Sequence, residues 1–442
     1  MLDLRYRTIL AVAVPLMVSS FIQSIVLLTD AAFLSRFSTL AFDANGNAGL
    51  LYVTAFICLV GMSEGSQILI ARRIGENRIE RVGRIFGTSL STLLLLASFL
   101  FVIIYFVVPQ LLPLYSRSQE LAEAQNSFLS IRSFALLLGI VTLSIQAFFF
   151  AIGKTWVMLI SAGIIAFSNI LMDYLLIFGI GPFPRMGLEG AALASTLAEL
   201  LGMIFLIFFL IFSRERKQYQ LFAHFSFSWN SFKELLKIGT PLALQGFMAL
   251  ATWTIFFTWI EQMGSDELTI SQNIRAIYFL AFIPIWGFSA TTKTYISQYI
   301  GRGDFDSLII IQRKIQLLSV IFLAIFFHGA FLYPEKIIAL INPADAYIER
   351  SAEILRFVGF SLYIFALGSV KLQTINGSGN TNVSFTIELI CVIIYAVFSY
   401  LFIKVWQFEI FWVWWIEYIY FISTALLSVL YLHFFKWQNK KI

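Results

Sequence analysis

The sequence predicts an all-α integral membrane protein: twelve transmembrane helices in two six-helix lobes related by a parallel pseudo-two-fold repeat. Three observations carry this. Of the 442 residues, 59% are hydrophobic and 12% charged, with a mean hydropathy of +0.85, whereas a soluble domain is about a quarter charged. Apolar stretches of the roughly 20 residues needed to cross a bilayer core recur from Ile9 almost to the C-terminus, with short polar breaks between them. A single ungapped offset of 226 residues superposes one half of the chain on the other.

Taken in order, the spans are expected to start near residues 8, 48, 84, 128, 157 and 187, and then near 233, 270, 311, 350, 382 and 410. The first follows Arg5 and Arg7 but runs past Pro15 to Asp30 without a small-residue cleavage site, so it reads as a helix and not a signal peptide. Basic residues then alternate between loops. One side collects Arg5, Arg7, Arg72, Arg73, Arg78, Arg81, Arg84, Lys154, Arg214, Arg216, Lys217, Arg302, Arg313, Lys314, Lys436, Lys440 and Lys441. The other holds scattered ones such as Arg36, Arg117, Arg185 and Lys336. By the positive-inside rule both termini are expected in the cytoplasm, which requires an even number of spans.

A polar break at Ser213–Trp229, with its SRERK cluster, lies near the midpoint. It divides the chain into an amino-terminal lobe (1–212), a cytoplasmic linker (213–230) and a carboxy-terminal lobe (231–442). The offset places Pro15-Leu16 on Pro241-Leu242, Phe21 on Phe247, Gly61 on Gly287, Ser63 on Ser289, Ile74-Gly75 on Ile300-Gly301, Gly153 on Gly379, Thr155 on Thr381 and Tyr174 on Tyr400. Six spans per half means that both halves enter the membrane in the same sense.

Charge inside a bilayer costs about 3 kcal/mol on insertion scales, so a charged residue that persists in a span marks a path or a site. The first half carries Asp30, Glu64, Asp173 and Glu199 within spans, with Asn169 one turn before Asp173. The repeat serves as an internal control: these positions correspond to Phe256, Ala290, Ser399, Ala425 and, for Asn169, Tyr395. The shared scaffold therefore does not demand the polar groups. Asp30, Asn169 and Asp173 together offer oxygens suited to one small hard cation or one transferable proton. Glu64, Glu199, Gln146 and Gln245 are candidates for a substrate path. In the second half Lys293, Lys371, Glu388 and Glu417 either pair as buried salt bridges or line that path.

Several classes are disfavoured. The net charge of +5 sits in loops, where membrane orientation explains it without nucleic acid. Cys58 and Cys391 lie in apolar segments of different halves, and His224, His328 and His433 fit no metal-ligand spacing. No G-x-x-x-x-G-K-[ST] loop, nucleophile elbow or H-E-x-x-H motif occurs, which argues against an ATP-driven pump or a hydrolase. No catalytic residue, resident metal or organic cofactor is expected.

Three stretches, PLMVSSFIQSIVLLTD from Pro15, GMSEGSQILIARRIG from Gly61 and NILMDYLLIFGIGPFPRMGLEGAALAST from Asn169, resemble the multidrug and toxic compound extrusion (MATE) family. Gly239-Thr240-Pro241 and GFSATTKTYISQYIGRGD from Gly287 echo them in the second half. The resemblance implies export of organic cations and amphipathic drugs in exchange for Na+ or H+, across a plasma membrane such as the bacterial inner membrane, by a monomer. It further implies that Asp30, Asn169, Asp173 and Ser195 or Thr196 form an amino-lobe cation site, and that Gln23 lines the drug pocket. The glutamate that some branches carry in the seventh helix is replaced by Ala249 or an apolar neighbour, so the chain looks more like the DNA-damage-inducible branch and its archaeal relatives. The rival implied by the same superfamily fold is a flippase for a lipid-linked oligosaccharide, to which Lys293 and Lys371 would be suited.

Overall fold

The computed structural model describes residues 2–440 and 442; Lys441, one of the basic residues counted above, lies outside the described residues. Among those residues there is no strand, and twelve helices are long and apolar enough to span a membrane. They are α1 (Tyr6–Phe37), α2 (Thr39–Gly75), α3 (Ile79–Leu114), α4 (Gln119–Ile152), α5 (Trp156–Phe178), α6 (Leu188–Phe212), α7 (Trp229–Glu261), α8 (Ser265–Arg302), α9 (Ser307–Phe327), α10 (Asp345–Gly377), α11 (Thr381–Val405) and α12 (Ile410–Phe434).

Several helices begin well before their apolar runs. The second span was expected near residue 48, yet α2 starts at Thr39, because Ser38 in an extended conformation accepts a hydrogen bond from the Ala41 amide and closes the first turn. Ser118 does the same for α4 through the Leu121 amide, nine residues ahead of the expected start at 128. Hydropathy reports where lipid begins, and the cap reports where the helix begins. Helices end with equal economy: Gly153, Gly179 and Gly303 adopt positive φ at the ends of α4, α5 and α8, the backbone conformation that favours glycine. Within α3, a π-turn at Ile103–Val107 precedes Pro109 and accommodates a residue with no N–H to donate.

Packing divides the chain into two compact units that do not coincide with the 1–212 and 231–442 halves. One unit comprises residues 18–243; the other comprises 1–17 together with 244–442. Both boundaries fall inside helices, shortly after Pro15 in α1 and Pro241 in α7. They are separated by the repeat offset itself, since Met17 corresponds to Ala243.

Within the first unit α2 packs chiefly on α4, α4 on α6, and α5 on α6; within the second the same relations join α8 to α10, α10 to α12, and α11 to α12. The repeated Gly61/Gly287 pair explains how the N-terminal segments of α7 and α1 dock. A Cβ on Gly61 would lie 2.3 Å from the Ala243 backbone, within the first unit. One on Gly287 would lie 2.6 Å from Met17 Cγ and 3.1 Å from the Ala13 carbonyl, within the second. Only glycine permits either approach without displacing a neighbour.

Candidate functional site

The first unit brings three helices together around a group of buried oxygens. Asp173 on α5 is fully buried, and Asn169, one turn earlier, is 1% exposed. The Asn169 side-chain amide donates to Ser195 Oγ of α6 at 3.2 Å, which leaves its oxygen free to accept. Asp30, half-buried on α1, lies near enough to Asp173 for the two carboxyl groups to act on each other.

The decisive feature is what these oxygens lack. Asp30 Oδ1, Asn169 Oδ1 and both carboxyl oxygens of Asp173 are inaccessible to solvent and receive no hydrogen bond from any described N–H or O–H donor. Buried polar atoms are nearly always satisfied, and two carboxylates in contact repel unless a positive charge lies between them. Four bare oxygens from one amide and two carboxyls match the ligand chemistry of a hard cation or a shared proton. Thr196, the neighbour of Ser195, donates its hydroxyl to the Ala192 carbonyl within α6 at 2.8 Å.

An ion pair lies beside this group. Arg132 of α4, almost wholly buried, forms an ion pair with Glu199 of α6 at 2.8 Å, and its guanidinium lies 4.2 Å from the centre of the Tyr52 ring of α2. Its charge also acts on Asp30 and Asp173. Neither Arg132 nor Tyr52 was singled out from the sequence. The signal was present, a lone arginine inside a span, but placing that span's start near residue 128 put Arg132 at its edge, whereas the helix starts nine residues earlier.

The remaining candidates are spread out. Glu199, expected along a substrate path, is the partner of Arg132. Gln23 is exposed two turns before Asp30 on α1, while Glu64 on α2 and Gln146 on α4 are half-buried. In the second unit Gln245 donates to Ser384 Oγ at 2.7 Å, and Lys371 donates to Gln312 Oε1 at 2.6 Å. Lys293 is buried on α8. The salt bridges considered for the second half are not formed by its acids: Glu417 accepts from the hydroxyls of Tyr278 at 3.1 Å and Tyr395 at 3.0 Å, and Glu388 accepts from Tyr420. Tyrosines, abundant and unremarked in an aromatic-rich sequence, do the work assigned to lysines. No group of three or more His, Cys, Asp or Glu side chains suited to a bound metal occurs among the described residues.

Twelve spans built from a repeated six-helix unit, with an unsatisfied oxygen site in one unit, define a multi-pass membrane transporter rather than an enzyme. The chain belongs to the MatE family, whose sequence profile matches it twice, at residues 15–175 and 241–401. The two matches are displaced by the same 226 residues as the repeat. Among curated proteins, the chain is 28% identical over 384 residues to a probable multidrug resistance protein NorM of Thermotoga maritima, covering 85% of this chain and 80% of that one. It is 20% identical to the probable multidrug resistance protein YoeA of Bacillus subtilis, covering 85% and 81% respectively. Among solved structures, an outward-facing multidrug resistance MATE family transporter of the MOP superfamily aligns with a TM-score of 0.87 at 17% identity, covering 96% of this chain and 94% of the other. A MOP superfamily transporter from Pyrococcus furiosus, described as having a binding pocket of reverse polarity, aligns with a TM-score of 0.86 over the same shares, also at 17% identity. These structural likenesses speak to the fold.

Proposed function

We propose that the protein is a secondary active multidrug exporter that releases cationic or amphipathic compounds in exchange for Na+ or H+, by alternating access. The observation that carries this reading is the set of four donor-less buried oxygens on Asp30, Asn169 and Asp173. A site of that kind holds a cation or proton in one state and is uncomfortable when empty, which is the differential affinity that coupling requires. Ser195 holds Asn169 in place, and Arg132, itself paired with Glu199, places a positive group beside the two aspartates. The names borne by the relatives from Thermotoga maritima and Bacillus subtilis support a multidrug cargo. The coupling ion is the sole cofactor this reading requires. The basic residues of alternate loops support cytoplasmic termini, a plasma-membrane location follows from the family, and one chain carries the whole ion site.

The test is efflux of ethidium from proteoliposomes under an imposed Na+ gradient and, separately, a proton gradient, with wild type beside Asp30→Asn. Gradient-driven efflux that the variant loses identifies the coupling ion. Efflux that is equal in both proteins removes Asp30 from the mechanism. Absence of efflux under either gradient favours the flippase reading, for which the buried Lys293 is the supporting feature, and labelled lipid-linked sugars then become the substrate to assay.

A further inference from the structure

A cavity of the first unit lies away from the oxygen site, where the end of α2, the start of α3 and the start of α7 meet. It encloses about 240 Å3 and is lined by Arg73, Arg81, Arg84, Ile85, Ser228, Asn230, Ser231 and Glu234, so its wall carries three guanidinium groups and one carboxylate. The wall is not internally balanced. Arg73 spends two of its nitrogens on Glu76 and Glu234, at 3.0 and 3.1 Å, but its Nε, in a side chain only 3% exposed, has no acceptor among the described residues. Arg81 and Arg84 are exposed at the mouth and their side chains form no hydrogen bond or ion pair with described residues.

The repeat again acts as a control. Arg73, Arg81 and Arg84 correspond to Tyr299, Ser307 and Ile310, so the fold of a six-helix unit does not require this cluster. Orientation in the membrane requires basic residues in the loop, not three of them around a cavity that also offers hydroxyl and amide groups. Guanidinium forks with serine and asparagine side chains are the donor set that binds phosphoryl oxygens.

The rim indicates where that phosphoryl group comes from. The chain leading into the cavity presents Phe222, Phe225, Phe227 and Trp229 with 44 to 64% of their surfaces exposed. Phe227, Trp229 and Phe232 form an edge-to-face cluster there. Aromatic side chains exposed at the end of a span sit at headgroup depth, and basic pockets between helices on the cytoplasmic side take up anionic headgroups.

We infer that the cavity bounded by Arg73, Arg81, Arg84, Ser228 and Asn230 binds the phosphoryl group of an anionic phospholipid, holding the α2–α3 turn against the start of α7. The lipid is a bound structural partner, separate from the exported cargo and independent of the coupling reading.

Purified full-length protein in neutral detergent is titrated with phosphatidylglycerol, with phosphatidylcholine and with inorganic phosphate, reading retained lipid by native mass spectrometry and the thermal unfolding midpoint. Wild type is expected to retain phosphatidylglycerol preferentially and to unfold at higher temperature with it. Arg81→Gln/Arg84→Gln, which alters exposed side chains only, is expected to weaken that retention by about ten- to thirtyfold, at roughly tenfold or less per charge. Arg214→Gln/Lys217→Gln removes the same charge from exposed positions outside the cavity and is expected to leave retention unchanged. Equal retention by wild type and Arg81→Gln/Arg84→Gln, or equal loss in both double variants, overturns the site. An equal shift with inorganic phosphate alone overturns its assignment to lipid.

Discussion

The oxygen site and its counterpart one repeat away solve the same problem, polar groups inside a membrane, in opposite ways. In the first unit Asp30, Asn169 and Asp173 leave four oxygens bare, with Ser195 bonded to the Asn169 amide. The corresponding positions of the second unit are Phe256, Tyr395, Ser399 and Phe421. There Phe256 packs on Tyr395 with ring centres 5.4 Å apart, and the nearby carboxylate, Glu417, arrives from a different position on α12 with one tyrosine hydroxyl on each oxygen. Tyr278, one of those donors, is itself the repeat partner of Tyr52 beside Arg132. A buried carboxylate with donors on both oxygens is part of the architecture; one without donors is, on the function proposed above, where the coupling ion or proton binds. Burial alone does not distinguish them.

That contrast can be broken most directly at Asp173. Asp173→Asn is expected to reduce ion-driven efflux of ethidium by more than about 100-fold while the protein still inserts and unfolds near the wild-type temperature, since it removes like-charge repulsion from a buried site. Retained coupling, measured in proteoliposomes, would break the comparison. Arg132→Gln is expected next in size: losing one partner of a buried pair costs about 3–5 kcal/mol, reduced to about 2–4 here because Glu199 keeps 29% of its side chain exposed. Thermal unfolding in detergent would record it, with an impaired ion response beside it. Glu417→Gln should be milder, about 1–2 kcal/mol, because the tyrosine hydroxyls can reorient to an amide; gradient-driven efflux should persist, and its loss would move the second unit into the coupling mechanism. The smallest effect is expected from Glu261→Gln at the exposed end of α7, where efflux rates and unfolding midpoint should match wild type within error.

Much of the architecture was legible because a bilayer imposes a length and a polarity on every helix. The number of spans, the repeat and the Asp30, Asn169 and Asp173 group all follow from that constraint, as charge and amide stand out against apolar sequence. What hydropathy could not convey was helix extent beyond the lipid, which depended on caps such as Ser38 and Ser118. Arg132 was hidden by the same error. The tyrosine donors around Glu417 were hidden by composition: with 17 tyrosines and 47 phenylalanines in the chain, no single ring announces that its hydroxyl faces a carboxylate. The linker at 213–230 marked the midpoint of the repeat, but packing changes hands within α1 and α7 and leaves no polar signal there.

The placement of those boundaries has a consequence for biosynthesis. Residues up to Met17 belong with residues 244–442, so this segment is translated early and finds its packing neighbours only after most of the polypeptide has followed it. The unit formed by residues 18–243 likewise stays open until Ala243 has been made and has come to rest on Gly61. Once the 213–230 segment has left the ribosome, the nascent chain therefore carries six helices but no finished folding unit.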